Sequence, residues 1–353
     1  MSAPRDPRAA PPRRRWPLLR RLGRRPLGLA GGAVVAALFG VALGADLLAS
    51  DLPLAMRRDG QLYLLPGISR PVALLPHDNR SLRTLLRPER GDWLLAPPVP
   101  FGPYQTDLSL PALPAPPGEG HRLGTDEVGR DVLARLIHGT RVSLFVGLGA
   151  VALYVALGLL LGALAGYYGG LLDLVASRAI EVMLTFPTIF LLLAIVALVD
   201  RPSLLHLVLA LGLTRWPDIA RLVRGEVLRI RQLDYVQAAR ALGLSDLRII
   251  ARHVLPNAMG PVFVAATFGV ANAILIESGL SFLGFGAPPP SASWGEILTQ
   301  AHRHLATPGA WWLALYPGAA IFLTVGSINL VGEALREALD PRGGARTAKS
   351  SGR

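Results

Sequence analysis

His302 and His304 stand two positions apart, close enough for two imidazoles to share a metal ion. A zinc site takes three or four ligands, however, and no further ligand converges on this pair by sequence. Neither HExxH nor GxSxG occurs, which removes the metalloprotease helix and the nucleophile elbow, and His253 reads as a helix-end histidine. A phosphate-binding loop needs glycine-rich backbone and a lysine; the single lysine, Lys349, lies in a tail with no such loop. Gly147, Gly149 and Ala152 match a dinucleotide pattern loosely, but inside an apolar block with no preceding strand, where they serve packing. The absence of cysteine removes disulfides and thiolate metal sites. No catalytic residue, metal or cofactor is expected on this chain.

The polar residues that stand out lie inside long apolar blocks: Asn272, Glu277, Ser278 and Ser281 in one, Thr324, Ser327 and Asn329 in another. At membrane depth such groups are expensive and face the bundle interior or a water-filled route. Asn272, Glu277, Ser281 and Asn329 are therefore candidates for a translocation path, although for each taken singly interhelical hydrogen bonding is the plainer reading, with Glu277 the exception. Glu277 is ionisable; as a proton carrier it would suit an ATP-independent channel or proton-coupled carrier.

Those blocks dominate the chain. Of 353 residues 51% are hydrophobic, with mean hydropathy +0.41, too apolar for an ordinary soluble enzyme. Uncharged stretches run over 26–45, 142–172, 182–199, 253–276 and 305–332, and a weaker one, interrupted by Arg215, over 202–216. Roughly 20 apolar residues cross a hydrocarbon core of about 30 Å, so five qualify and 202–216 is marginal. Nine Arg stand against one Asp in 1–26 and seven against three acids in 221–256, whereas 51–140 balances ten against ten. Basic residues beside alternate span ends follow the positive-inside bias rather than a nucleic-acid face, although net charge is +12. Six spans put the tail 1–25, the loop 221–256 and the tail 337–353 on the cytoplasmic side and 51–140 outside. The apolar run in 26–50 is longer than a signal-peptide core and reads as an uncleaved first helix.

Segment 51–140 holds 13 of 30 prolines, which favours short strands and turns over long helices. In MRRDGQLYLL, Asp59 and Gly60 supply a two-residue hairpin turn. GTDEVGRDVLARLIHGT places Val132, Leu133, Leu136 and Ile137 at helical spacing with Asp and Arg opposite, an amphipathic helix expected on the outer membrane surface. In the second span Gly158, Gly162 and Gly166 recur every fourth residue and admit a neighbouring helix closely. Pro187 is expected to kink the third span.

The segment YVQAARALGLSDLRIIARHVLPN at 235–257 divides at Gly243. Ala238, Ala239 and Leu242 make a short apolar face; Gly243 ends that helix left-handed and Ser245 caps the next. Leu247, Ile250, Ala251 and Val254 form a second apolar face with Arg248 and Arg252 opposite, until Pro256 breaks the helix. Two short helices at a bend suit anionic lipid or a protein groove, and small Ala238, Ala239 and Gly243 favour the groove.

Tyr235, Ala238, Ala239, Gly243, Ser245, Asp246, Ile249, His253, Leu255, Pro256 and Asn257 resemble the EAA-type loop of bacterial ABC importer permeases, in particular the second permease subunit of dipeptide and oligopeptide systems. HRLGTDEVGRDVLARLIHGTRVSL (121–144), GLSFLGFGAPPPSASWGEIL (279–298), WWLALYPGAAIFLTV (311–325) and NLVGEALREALDPR (329–342) are similar to the same subunits, so the resemblance covers 121–342. Gln237 stands where the motif often has glutamate. The module before His121 is longer than in plain dipeptide permeases and resembles the extended version of the microcin-uptake type.

The resemblance implies an all-α integral membrane protein with six transmembrane helices and the type I importer permease fold. A small Pro-rich extracytoplasmic module separates helices 1 and 2, and the permease core covers 141–336. It implies that Tyr235, Ala238, Ala239, Gly243, Ser245, Asp246, Arg248, Arg252, His253 and Pro256 couple to an ATPase. The implied partners are a second homologous permease, two ATP-binding subunits carrying ATP and Mg, an extracytoplasmic solute-binding protein and the lipid bilayer. The function implied is import of peptides by ATP-driven alternating access, with an ATP-independent channel or proton-coupled carrier as the alternative. Nickel, glutathione and peptide antibiotics stand beside di- and oligopeptides among the cargoes of the family.

Overall fold

The computed structural model describes residues 25–118, 120–200, 203–286, 290–304 and 309–339. The Arg-rich start, part of the GFGAPPP stretch and the tail with Lys349 lie outside the described residues.

Pro26 opens α1 (Pro26–Leu43), at a position where its missing N–H breaks no helical bond. Asp131 opens α3 (Val132–Tyr168) by accepting from the Ala134 N–H at 2.7 Å, after the small module that carries α2 (Asn79–Leu85). At 37 residues α3 runs about 55 Å. Gly169 and Gly170, both at positive φ, turn the chain into α4 (Gly170–Thr185). After Pro187 the chain enters α5 (Thr188–Ala197), bent 86° from α4. Then follow α6 (Leu204–Ile230), α7 (Asp234–Ala241), α8 (Asp246–Phe282), α9 (Trp294–Arg303) and α10 (Trp312–Leu339).

Among the described residues four helices, α1, α3, α8 and α10, are long and apolar enough to cross a membrane, and the bent pair α4–α5 passes the same test when taken together as one broken span. With Arg215 and Asp218 near its middle, α6 is not among them. Two expectations need correction. The third apolar stretch bends at Pro187 as expected, but it is not one helix over 182–199: the helix begins at Gly170 and breaks sharply at Phe186 and Pro187, because Pro187 disfavours helical backbone in the residue before it. The segment around Val132 is not a separate surface helix. It is the first two turns of α3, and its polar side is buried: Arg135 has no exposure.

The bundle is organised on α3 and α6, whose contact is the glycine stripe. A Cβ on Gly158 would lie 2.6 Å from Ile219 Cβ, one on Gly162 2.5 Å from the Ala220 carbonyl oxygen, and one on Gly166 2.9 Å from the Arg224 carbonyl oxygen. Backbone oxygen cannot yield as a side chain can. Gly162→Ala is therefore expected to push the helices apart and cost about 1–3 kcal/mol, read as a lower unfolding temperature in detergent. Gly225, with open space around it, serves as the control. Against α10, α1 packs in the same way: a Cβ on Gly31 would lie 2.7 Å from the Ser327 carbonyl oxygen.

The module between α1 and α3 is a three-stranded antiparallel sheet in the order β2-β1-β3, formed by β1 (Ala55–Arg58), β2 (Gln61–Leu64) and β3 (Trp93–Leu95). Asp59 and Gly60 take φ of 48° and 81°, the left-handed pair that a two-residue hairpin turn needs. Leu52, Met56, Leu74 and Leu82 form a core separate from that of the bundle.

Candidate functional site

At one end of the bundle the chain passes from α6 through α7 into α8, and three side chains fix its path. Arg231, just past α6, donates to the Gly166 and Tyr167 carbonyls at 2.9 and 3.0 Å, tying the ends of α6 and α3 together. Arg224 grips Asp173 of α4 with two nitrogens. Tyr167 donates to Asp246 at 2.7 Å while the Arg240 guanidinium lies 5.2 Å from its ring centre, so one tyrosine braces both α7 and the start of α8. No spacing in the sequence linked Tyr167 to this segment.

The bend forms as its residues dictate. Leu244 N–H bonds the Ala239 carbonyl at 3.2 Å and Gly243 N–H the Arg240 carbonyl at 3.0 Å, with Gly243 at φ 78°, a paired closure typical of a glycine-terminated helix. Any other residue there is strained by about 1–2 kcal/mol although space around it is open. Gln237 donates to the Arg231 carbonyl at 2.7 Å, a bond that a glutamate could not make when ionised. Asn257 donates to the Tyr235 hydroxyl at 3.2 Å and to the His253 carbonyl at 2.7 Å.

Three local expectations change. Ser245 occupies the position before the helix, but its side chain makes no cap bond. Pro256 does not break the helix. One wide π turn over Ile250–Val254 precedes it and, by changing the hydrogen-bond spacing, accommodates the missing N–H, so α8 continues to Phe282. The apolar faces are also divided: Val236, Ala239, Ile249, Ile250 and Val254 turn inward, while Ala238, Leu242, Leu247 and Ala251 turn out with Arg248, Arg252 and Pro256. Leu242 and Leu247 are 80% and 70% exposed on either side of the Gly243 bend in sequence. The result is a segment held rigidly from within and apolar at its tip.

At the opposite end of α3, a buried ion cluster joins the loop before α3 to α9. Arg135 pairs with Glu296 and, at 3.5 Å, with Asp126; Arg130 pairs with Asp126 at 2.6 Å and Glu296 at 3.7 Å. Gln300 donates to Glu296 at 2.7 Å, and the indoles of Trp294 and Trp312 donate to the Leu136 and Thr125 carbonyls, each at 3.0 Å. Beside it His121 lies between Asp131, 2.8 Å away, and Asp107. Burial opposes its charge, yet the hydrogen bond and charge of Asp131, followed by those of Asp107, hold the imidazole above its ordinary pKa.

The candidates for a translocation path do not gather in one place. Glu277 is fully buried, accepting from Ser281 at 2.9 Å and Ser278 at 3.4 Å, with Gly295 of α9 packed over both serines. Asn329 is exposed on α10. Asn272 lines a cavity of about 180 Å³ between α3, α6 and α8. His302 lies against the Phe282 ring and His304 3.5 Å from Glu127; among the described residues no three ligands gather for a metal ion.

Residues 158–343 match the family described as binding-protein-dependent transport system inner membrane component. The chain is 38% identical over 312 residues to the inner membrane ABC transporter permease YejE of Escherichia coli (strain K12), covering 86% of this chain and 90% of that one. A match of that length takes in the module between α1 and α3. A putative peptide transport system permease of Brucella suis biovar 1 (strain 1330) is 45% identical over 227 residues, 64% of this chain and 75% of that one. The dipeptide transport system permease DppC of Alkalihalophilus pseudofirmus is 42% identical over 226 residues, 64% and 73% of the two chains.

Proposed function

Because the chain belongs to the family of binding-protein-dependent transport system inner membrane components, we propose that it forms half the pore of a peptide importer driven by ATP on separate subunits. It is a multi-pass permease subunit of an ATP-binding cassette transporter, not an enzyme. The peptide cargo rests on its likeness to the Brucella and Alkalihalophilus permeases.

In this reading α6 completes the six spans as the fourth in chain order, its charges tolerated because they face protein or a wet route rather than lipid. Both termini and α7 then lie in the cytoplasm, as the arginine distribution favours. The other subunits are a second permease, two ATPases holding ATP and Mg, and a soluble binding protein. The module between α1 and α3 sits on the outer face, where it receives the binding protein or covers the pore mouth.

The observation that carries the reading is the braced segment through α7, with Leu242 and Leu247 exposed beside its bend. ATP-driven closure of an ATPase pair, pushing there, is transmitted through Tyr167 and Arg231 to α3 and α6. A carrier working alone has no use for such a tip, and Glu277 is walled off beneath α9. In proteoliposomes holding the assembled transporter, uptake of a labelled dipeptide is expected to require ATP and binding protein and to survive Glu277→Gln without acquiring dependence on a proton gradient. Uptake that runs on a proton gradient without ATP, and is lost in Glu277→Gln, would support the carrier instead.

A further inference from the structure

Arg215 and Asp218 of α6, Asn272 of α8 and Tyr154 of α3 meet around one cavity of about 180 Å³, far larger than the roughly 10–15 Å³ that a single water occupies. Their arrangement differs from the satisfied clusters elsewhere in the chain. Arg215 and Asp218 approach no closer than 3.4 Å, with 28% and 44% of their side chains exposed. The side chains of Tyr154, Asn272 and Asp218 make no hydrogen bond within the described residues. By contrast, Arg135 and Glu296, which meet at the start of α3, are buried and bond each other, the Ser291 carbonyl and Gln300. Charges placed this far along a helix of an apolar bundle are costly and mark routes. Gly269 is part of the same device, because a Cβ there would overlap the Tyr154 hydroxyl, so only glycine leaves the ring its place at the cavity wall.

Resting on the importer reading, we propose that this cavity is a cargo subsite that takes the C-terminal carboxylate of a peptide on Arg215, with the adjoining peptide amide on Asn272 and Tyr154. A guanidinium presents paired donors that match a carboxylate. Asp218 competes for the same guanidinium, so the cargo displaces a weak internal contact on arrival and is itself displaced on leaving. A transport route needs such binding, favourable enough to enter and weak enough to leave.

The test compares uptake of one tripeptide with a free C-terminus and the same tripeptide amidated there, in proteoliposomes with one binding protein throughout. Arg215→Gln is expected to lower uptake of the free acid about tenfold, the scale of a lost charge-assisted hydrogen bond, and to leave the amide within twofold. The ratio between the two peptides therefore collapses, and since the binding protein is unchanged, the loss belongs to the permease. An unchanged ratio overturns the subsite while leaving the importer reading intact. Failure of wild-type complex to take up either peptide with ATP overturns the reading beneath it. If Arg215→Gln does not assemble with its ATPase, Asn272→Ala, which removes no charge, replaces it; a severalfold fall for both peptides supports the subsite and unaltered uptake overturns it.

Discussion

Replacing Leu242 and Leu247 together by aspartate is expected to abolish ATP-driven uptake while the chain still inserts and folds. Neither leucine supports its own fold, since both are largely exposed, whereas the inward side chains Val236, Ala239, Ile249 and Val254 stay in place. Burying two leucines against a partner contributes about 3–6 kcal/mol, which corresponds to a hundredfold or more in affinity. Two carboxylates in the same contact add desolvation without a partner. Co-purified ATPase and uptake should fall together, with the unfolding temperature of the isolated subunit unchanged. Gly243 is a poorer place for this experiment, because its positive φ makes any substitution strain the turn whatever binds there.

The second large effect is structural. Arg135→Met is expected to destabilise the subunit by about 3–5 kcal/mol, the range for breaking a buried ion pair. Asp126, Glu296, Arg130 and Arg135 balance two negative charges with two positive ones, and none is more than slightly exposed. Loss of Arg135 leaves one uncompensated carboxylate and also removes donors to the Ser291 and Pro103 carbonyls. Arg135→Met with Glu296→Met restores charge balance and should recover part of the loss, because an apolar pair of similar size can replace a buried ion pair. Thermal unfolding followed through Trp294 and Trp312, which lie beside the cluster, reads both variants. A double variant no more stable than the single one would show that backbone contacts, not charge, hold this end together.

What the sequence made legible was local. The glycine stripe at Gly158, Gly162 and Gly166 announced close helix packing by its spacing, and Asp59-Gly60 announced a hairpin by its turn chemistry. Gly243 ended a helix as its lack of a Cβ permits. Contacts set by distant partners were hidden: Arg135 and Glu296 are 161 residues apart, Tyr167 and Asp246 79 apart. Periodicity gave Ala238, Ala239 and Leu242 one face, but which of them turns inward is decided by how α7 leans on the bundle. Pro256 was misread because a rule about one missing N–H ignores that a π turn can absorb it. Asn272 carried a signal as a polar residue in an apolar block, yet of its neighbours in the cavity Arg215 looked only like an interruption in a weak span and Asp218, just beyond that span, carried no signal.

The most direct test of the docking account is a photo-reactive benzoylphenylalanine placed at Leu247 in the assembled transporter. Illumination should join this chain to the ATP-binding subunit, and the yield should change when ATP is bound. Adducts to lipid alone, or to the second permease, would contradict the claim that the segment through α7 is where ATP drives the pore.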